Sequence, residues 1–524
     1  MNGAEAILRT LADAGVDACF TNPGTSEMQM VAAFDREPRV RPVLCLFEGV
    51  ATGAADGYAR VAGRPASTLL HLGAGLANGG ANLHNARRAG TPVVNIVGDH
   101  ATYHRVHDAP LTSDIPGLAR PLSVWVGSPA TADEAVALAA ESVARSQGPT
   151  PGPATLLLPA DCAWNESAGA VAASATPQPA RVAPDRVEAV AERVRGAGKA
   201  AVLLGSPACT ERGLAAAGRI AATGVRVLCD TFVRRLPRGA GRFAPDRMLY
   251  FGEMAVQDLA GTEVLVLAGT KQPVAFFAYP GAPSVLLPEG CEAETLASPE
   301  EDAVAALEAL ADALGAPGRF APVGRETPAV EGDALTAYSA GASIARRMPA
   351  DTVVSEDAVT AGLPIYLQTR GAEPHDWLFL TGGAIGQAIP AAIGAAMARP
   401  GSKVLSLNGD GAAAYTLQGL WTIAREKLDV VTVVFANGAY RILSIELART
   451  RSGQAGPAAQ RLLDLGSPRM DWCRLAEGFG VPAVRAEPAA GSRGPSQERR
   501  RNAGPYLLPA VLVGSLQGSP EFEA

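Results

Sequence analysis

The 524-residue chain has little of several features that mark particular classes of protein. Its seven cysteines are scattered and never form a Cys-x-x-Cys pair, which disfavours a disulfide framework or a zinc site and fits a reducing compartment. Lysine occurs at only four positions, the formal net charge is −7 and no basic stripe is present, so we expect no nucleic-acid partner. No apolar run is long enough to span a bilayer, and the N-terminal pattern is broken by Arg9 and Asp13, unlike a signal peptide. These absences predict a soluble, cytoplasmic protein without a membrane partner.

The chain does show a regular alternation of predicted strands and helices. Short β-branched or leucine-rich runs alternate with helical patterns, which predicts parallel sheets covered by helices on both faces. Two loose stretches, at residues 167–184 and 316–333, interrupt the alternation. The sequence therefore predicts an α/β fold of three consecutive domains with mainly parallel sheets flanked by helices, at residues 1–166, 185–315 and 334–515.

Some elements of this prediction bear directly on a site. In the third domain, residues 403–407 and 430–435 are predicted to form buried strands, and residues 385–398 and 412–425 to form helices. In the middle domain, residues 284–287 are predicted to form a strand. Parallel sheets bind ligands at the carboxyl ends of their strands, so the loops that follow the strands are the first places to search.

The loop after residues 403–407 carries the most informative motif, Gly409-Asp410-Gly411. Two glycines around one carboxylate allow the backbone to approach a bulky anion. The start of the predicted helix offers free N–H groups and a favourable dipole to a phosphate. The carboxylate itself suits Mg²⁺, a hard cation that takes oxygen ligands.

Asn437 lies 27 residues after Asp410, just beyond the next predicted strand. One helix and one strand of a βαβ unit would bring the two residues together, with the amide oxygen of Asn437 as a second metal ligand and the carbonyl of Ala439 as a third. The simpler interpretation is a glycine-rich turn followed by an unrelated Asn-Gly turn.

Motifs in the N-terminal part occur in a characteristic order, and with the Gly-Asp-Gly element they carry a resemblance. They are Asn22-Pro23-Gly24-Thr25-Ser26-Glu27, Leu46-Phe47-Glu48-Gly49-Val50-Ala51, Ala55-Asp56-Gly57-Tyr58-Ala59-Arg60, His71-Leu72-Gly73-Ala74-Gly75 and Asn82-Leu83-His84-Asn85-Ala86. The chain resembles the thiamine diphosphate (ThDP) superfamily of acetolactate synthase and benzoylformate decarboxylase over nearly its whole length. That resemblance implies a pyrimidine domain, a middle domain and a diphosphate domain, in that order.

The resemblance assigns the two ends of the cofactor. Gly409, Asp410, Gly411, Asn437 and Ala439 are expected to bind the diphosphate, and Asp410, Asn437 and Ala439 to ligate Mg²⁺. The family motif has two consecutive asparagines, and Ala436 replaces the first of them.

At the other end, the resemblance implies that Glu48 shares a proton with N1′ of the aminopyrimidine, as a poorly solvated carboxyl group can. The alternative is a glutamate that only complements a helix dipole. Gly383 is expected to offer its carbonyl to the 4′-amino group, and Ile385 to support the bent cofactor. Ordinary helix packing is the alternative for Ile385.

Two residues are expected to meet the substrate. His71 matches an active-site histidine with an acid–base role, with a core histidine as the alternative. Thr25 matches a substrate-contacting serine. A cluster of His100, His104 and His107 has metal-like spacing, but a polar loop near the substrate entrance is favoured over a metal site.

The chain departs from benzoylformate decarboxylase at residues 273–280, where that family has a second active-site histidine and this sequence has none. Protonation of the reacting carbon then differs, and carboligation gains weight relative to plain decarboxylation. Residues 487–502 lack an apolar period and are predicted to form a disordered loop.

The sequence therefore predicts a ThDP- and Mg²⁺-dependent enzyme that acts on a small 2-oxo acid by C–C bond cleavage, carboligation or both. Because Glu48 and Asp410 come from different chains in this family, a homodimer or homotetramer is expected. FAD occurs in many acetolactate synthases, and no residue of the middle domain indicates FAD binding here. The alternative function is a non-catalytic ThDP-binding homologue with a regulatory role.

Overall fold

The computed structural model describes residues 1–330, 335–450, 456–486 and 506–510. Three mainly parallel sheets flanked by helices follow one another along these residues, which confirms the predicted fold class. The exact domain limits stay a prediction. Within the described ranges, no helix combines the length and apolar character that crossing a membrane requires.

The first sheet has six strands in the order β2-β1-β3-β4-β6-β5, and every pairing is parallel. Its apolar runs are buried on both faces because helices cover both, as parallel sheets require. The elements are α1 Gly3–Asp13, β1 Ala18–Asn22, α2 Met28–Ala33, β2 Arg41–Leu44, α3 Glu48–Ala62, β3 Ala66–Leu70, α4 Leu72–Ala89, β4 Val93–Asp99, α5 Ile115–Ala119, β5 Trp125–Gly127, α6 Ala132–Ser146, β6 Pro153–Pro159 and α7 Ala160–Trp164.

The second sheet has five strands in the order β10-β8-β7-β11-β12. The strand β9 belongs instead to the third sheet, where it pairs antiparallel with β14 and ties the middle segment to the last one. The elements are α8 Pro184–Gly196, β7 Ala200–Leu204, α9 Glu211–Ala221, β8 Arg226–Cys229, β9 Leu236–Arg238, β10 Asp246–Arg247, α10 Gly252–Asp258, β11 Val264–Ala268, β12 Glu292–Ala297 and α11 Ala303–Ala313.

The third sheet has the order β17-β16-β15-β13-β14-β9 and places the ends of β13, β15 and β16 side by side. The elements are α12 Ala337–Arg347, β13 Thr352–Asp357, α13 Gly362–Gln368, β14 His375–Leu378, α14 Ala388–Ala398, β15 Val404–Gly409, α15 Asp410–Ala413, α16 Gly419–Arg425, β16 Val430–Phe435, α17 Arg441–Arg449, α18 Pro457–Leu463, α19 Trp472–Gly478 and β17 Tyr506–Ala510. Residues 487–502, predicted to form a disordered loop, lie outside the described residues.

The prediction of a strand at residues 284–287 is wrong. This segment makes only an isolated bridge, between Val274 and Val285, and the edge strand is β12. Prolines at positions 280, 283 and 288 surround the predicted run and remove backbone donors that a ladder needs. Strand β12 is exposed at its start and buried at its last two residues.

Two helix predictions in the third segment need correction. The helix at 412–425 is two short helices, α15 and α16, because buried Thr416 turns its hydroxyl to the carbonyl of Gly386, 2.9 Å away. The helix predicted at 385–398 begins only at Ala388, because Gly386 has a φ of +96°. Both differences leave irregular backbone next to the strand ends.

Helices α3 and α14 pack along their lengths and join the first sheet to the third. Their backbones touch at two glycines. A Cβ on Gly57 would lie 2.1 Å from the carbonyl oxygen of Ala391, and one on Gly394 would lie 1.9 Å from that of Ala54. Since Cβ atoms do not approach backbone this closely, glycine is required at both positions.

The Gly394→Ala variant should therefore lower the free energy of unfolding by about 1–3 kcal/mol, the usual cost of overpacking a core. Urea unfolding followed by circular dichroism measures this. Gly196→Ala is the matched control, since nothing lies within 4 Å of a Cβ at the end of α8. Equal stability of the two variants would contradict the close contact between α3 and α14.

Candidate active site

The Gly-Asp-Gly motif lies where β15 ends, beside the ends of β13 and β16. The Asp410 carboxylate accepts the N–H of Gly411 at 2.9 Å and that of Gly438 at 2.7 Å. This joins the two halves of the predicted motif, because Gly438 belongs to the Asn-Gly turn after β16. The structure thus brings Asp410 and Asn437 together, as the βαβ argument predicts.

The two glycines of the motif differ in the space around them. A Cβ on Gly411 would lie 2.3 Å from the ring of Tyr440, so Tyr440 requires this glycine. Among the described residues, a Cβ on Gly409 would come no nearer to another atom than 3.9 Å, so these residues leave the space beside Gly409 open. Open space at a strand end, next to a carboxylate, is suited to a ligand.

The Asn-Gly turn holds its shape through local bonds. The Asn437 side-chain oxygen accepts the N–H of Ala439 at 2.9 Å, and Gly438 has a φ of +72°, in the left-handed region that favours glycine. Asn437 itself is exposed. An amide oxygen and a backbone carbonyl therefore lie next to Asp410, which is the donor set expected for Mg²⁺.

The electrostatics of Asp410 fit a cation. The side chain is buried, and this burial raises the pKa of the carboxyl group, although the N–H groups of Gly438 and Gly411 partly oppose the effect. A buried carboxylate with spare lone pairs and no cation in contact is costly, and a divalent ion would offset that cost. The residues present thus fit a magnesium ion that also holds a diphosphate.

A loop at residues 382–387, the cofactor loop, faces this anchor from the start of α14. Sequence reasoning missed Asp357, which ends β13 and organises the loop. One oxygen of its buried carboxyl group accepts the N–H groups of Gly386 at 2.6 Å and Gln387 at 3.0 Å. Its other oxygen has no hydrogen-bond partner among the described residues, and burial raises the pKa of Asp357 to about 8.

The cofactor loop is also fixed from the first sheet. The Asn85 side chain on α4 donates to the carbonyl of Ala384 at 2.8 Å and accepts the N–H of Ala384 at 3.2 Å. Gly383 is exposed at a φ of +74°, and Ile385 is half-buried. Their roles toward a cofactor stay a prediction, but both belong to a loop whose backbone is held on two sides.

Glu48 opens α3 at the edge of the first sheet. The side chain is only 7% exposed, and it accepts a hydrogen bond from the Asn78 amide at 3.0 Å. A Cβ on Gly75 would lie 3.4 Å from the same carboxylate, so α4 closes one side of the pocket. The carboxyl group is thus poorly solvated, as the assigned proton-sharing role requires.

His71 lies between β3 and α4 with its ring fixed by Glu27. The Nδ1 atom of His71 lies 2.8 Å from the Glu27 carboxylate and 3.2 Å from the Ser26 hydroxyl. Glu27 is 2% exposed and also accepts the N–H of Gly24. Sequence reasoning quoted Glu27 within a motif without giving it a role. Glu27 lies 44 residues before His71 in the sequence, and only the fold brings the two side chains together.

Thr25 is exposed, and it is the neighbouring Ser26 that contacts His71. The expected substrate contact of Thr25 stays a prediction. The rings of His100, His104 and His107 lie next to one another, with centroids 5.5 and 5.6 Å apart. In the part of the chain that the structure describes, no group of three or more His, Cys, Asp or Glu residues could hold a metal ion.

Comparisons with known proteins agree with this geometry. Residues 1–115 match the family model of the thiamine pyrophosphate enzyme N-terminal TPP binding domain, and residues 365–509 match that of the C-terminal TPP binding domain. A Mycobacterium tuberculosis protein named as acetolactate synthase large subunit IlvX is 51% identical over 99% of this chain and 100% of its own length. The chain therefore belongs to the thiamine pyrophosphate enzyme family.

More distant similarities agree. Benzoylformate decarboxylase of Pseudomonas aeruginosa is 27% identical, over 90% of this chain and 91% of that protein. The structure of a thiamine diphosphate-dependent 4-hydroxybenzoylformate decarboxylase from Rhodococcus jostii superposes with a TM-score of 0.86 at 23% identity, over 98% of this chain and 100% of that one. The protein is a ThDP-dependent enzyme, and these similarities give no support to a non-catalytic role.

The Asp357→Ala variant should weaken binding of ThDP with Mg²⁺ about ten-fold or more. It leaves the Gly386 and Gln387 N–H groups without a buried acceptor, which costs about 1–3 kcal/mol for each group. Calorimetry measures the affinity, and hydrogen exchange of the two amides reports the loop directly.

Asp357→Asn is the matched control for this experiment. It keeps an acceptor oxygen and should retain most of the affinity and the amide protection. If Asp357→Ala left both readouts unchanged, Asp357 would have no part in holding the cofactor loop.

Proposed function

We propose that this enzyme uses ThDP and Mg²⁺ to cleave the C–C bond beside the carbonyl of a 2-oxo acid, with release of CO₂. The observation that carries the proposal is the pair of half-sites: the buried Glu48 with the half-buried His71 that Glu27 orients, and a metal–diphosphate anchor at Asp410 and Asn437. When bound, the cofactor supplies the electron sink that decarboxylation needs.

The anchor residues hold the cofactor without taking part in bond changes. Asp410, the Asn437 amide oxygen and the Ala439 carbonyl would hold Mg²⁺, whose charge would neutralise the diphosphate. The space beside Gly409 would admit the phosphate oxygens. Asp357 and Asn85 fix the backbone of the cofactor loop, from which Gly383 would offer its carbonyl and Ile385 its side chain to the cofactor.

Glu48 holds the proton that activates the cofactor. Its low exposure means that little water would compete for a hydrogen bond between this carboxyl group and a ring nitrogen. The Asn78 amide, bonded to one carboxylate oxygen, leaves the other to face N1′. The side chain therefore moves a proton at one defined atom.

His71 exchanges a proton with the substrate. Because Nδ1 faces the Glu27 carboxylate, Nδ1 carries the hydrogen and Nε2 is left for the substrate oxygen or carboxylate. The sequence offers no histidine at residues 273–280 to share this task. Phe277 lies exposed there instead, and we infer that an apolar wall at this place slows protonation and favours addition to a second carbonyl compound.

A homo-oligomer completes the site. Leu46, two residues before Glu48, is 43% exposed, and Tyr415, which packs on the cofactor loop at Gly386, is 53% exposed. Large apolar side chains beside both half-sites are suited to burial by a second subunit. In this arrangement Glu48 of one subunit and Asp410 of another hold the two ends of one cofactor.

The Glu48→Gln variant tests the proposal. We expect CO₂ release from a panel of 2-oxo acids to fall at least about 100-fold, since general acid–base catalysis contributes about 10²–10⁴-fold. Binding of ThDP with Mg²⁺ should stay within a few-fold of the unmodified enzyme, because the anchor is intact. Glu141→Gln, on the exposed face of α6, is the matched control.

Full exchange of the cofactor's C2 proton in Glu48→Gln would contradict the role of this residue. ThDP binding without turnover of any 2-oxo acid by the unmodified enzyme would contradict the function itself. Product analysis with a second carbonyl compound then separates an aldehyde product from a hydroxyketone, that is, decarboxylation from carboligation.

The role of Glu27 is tested separately. Glu27→Gln keeps the size of the side chain but removes the charge that fixes His71, so kcat should fall about ten-fold or more, within the range that orienting partners contribute elsewhere. KM should change little, because His71 remains in place. A change confined to KM would mean that Glu27 shapes the pocket without orienting His71.

A further inference from the structure

An open cleft lies between the middle domain and α17, and of the residues that line it the function proposed above uses only Phe277. The middle segment contributes the loops around Tyr250 and Phe277, and α17 contributes Glu446 and Arg449.

The cleft opens close to the metal–diphosphate anchor. Helix α17 begins at Arg441, directly after Tyr440, whose ring lies against Gly411 of the Gly-Asp-Gly motif. The same helix packs on the turn Val359–Ala361 that follows β13. Glu446 lies five residues into the helix, about 7.5 Å along its axis. A substrate that reacts at the cofactor can therefore extend its far end into the cleft.

The walls of the cleft are aromatic. The rings of Tyr250 and Phe276 stack with centroids 4.7 Å apart, and Phe277 and Tyr279 lie beside each other at 6.4 Å. Phe276 and Phe277 are 45% and 57% exposed, so their rings are available to a ligand. The faces of such rings carry partial negative charge and attract cations.

The charged groups of the cleft do not balance. The Arg449 guanidinium lies over the Phe251 ring at 4.0 Å and forms ion pairs with both Glu446 and Glu253. The Glu446 carboxylate also accepts the Tyr279 hydroxyl at 2.7 Å. Among the described residues that line the cleft, two carboxylates thus share one guanidinium, which leaves one negative charge.

Tyr250 and Tyr279 do not change the net negative charge of the cleft. The hydrogen bond to Glu446 raises the pKa of Tyr279 to about 12, and burial, followed by the charge of Glu446, raises that of Tyr250. Both hydroxyls stay protonated near neutral pH. A carboxylate keeps about four lone-pair sites, so Glu446 can accept a further hydrogen bond beside those from Tyr279 and Arg449.

We propose that this cleft binds the distal end of the 2-oxo acid and selects a terminal cation with N–H donors, an ammonium or a guanidinium group. This rests on the function proposed above. The surplus charge and the aromatic faces attract such a group, and the same features repel a second carboxylate.

The test uses the holoenzyme with ThDP and Mg²⁺ and four 2-oxo acids of similar length, ending in a guanidinium, a methyl group, a carboxylate or a phenyl ring. The guanidinium substrate should have the highest kcat/KM. In Glu446→Gln, which can still bond Tyr279, its kcat/KM should fall at least about ten-fold, while that of the methyl substrate changes less than about three-fold. Glu477→Gln, which removes an exposed carboxylate on α19, is the matched control.

Preference for the phenyl, methyl or dicarboxylate substrate would overturn the proposal, as would an equal loss for all substrates in Glu446→Gln. If no 2-oxo acid is turned over, the function proposed above fails, and a binding experiment then tests the cation preference of the cleft by itself.

Butylguanidinium binding is followed by NMR, and its affinity should weaken at least about five-fold in Glu446→Gln. Equal binding to both proteins would overturn the cation preference independently of turnover.

Discussion

The close contact of α3 with α14 is the constraint on which the rest of the site depends. Glu48 is the first residue of α3, and the cofactor loop leads directly into α14. Gly57 and Gly394 allow the two helix backbones to touch. The position of Glu48 relative to the cofactor loop is therefore set by backbone contacts and not by flexible side chains. One chain thereby carries both proposed half-sites in a fixed relation, and the proposed homo-oligomer, in which two copies complement each other, requires that relation to be rigid.

Long-range hydrogen bonds complete what the helix contact begins. Asp357 at the end of β13 and Asn85 on α4 both form hydrogen bonds with the backbone of the cofactor loop. The buried ion pair between Asp56 and Arg60 on α3 adds another link, since the Arg60 guanidinium also donates to the carbonyl of Phe379 at 2.8 Å. Because unpaired buried donors are costly, movement of one segment penalises the others, and the loop is preorganised for the cofactor.

Local patterns allowed much of the site to be predicted. The Gly-Asp-Gly motif and Asn437 could be read from the sequence because each follows an apolar strand run, and the resemblance to the ThDP superfamily singled out Glu48 and His71. Asp357 and Glu27 could not be read, because their importance comes from partners 29 and 44 residues away. The break between α15 and α16 had no local signal either, since it depends on the bond from Thr416 to Gly386. The antiparallel pairing of β9 with β14 was likewise a tertiary outcome, because three residues carry no periodicity.

The buried acids of the site show how stability is exchanged for function. Asp410, Asp357 and Glu356 all have a raised pKa, and burial is the largest cause in each case. Groups of this kind lower stability in the ligand-free protein, and a cation at Asp410 repays part of that cost when it binds. The ion pairs of Glu446 and Arg449 are different, because they are only partly buried and water screens them. In the proposed function the anchor binds the cofactor, whereas the cleft beside it selects among substrates, so the residues of the cleft can change without loss of the anchor.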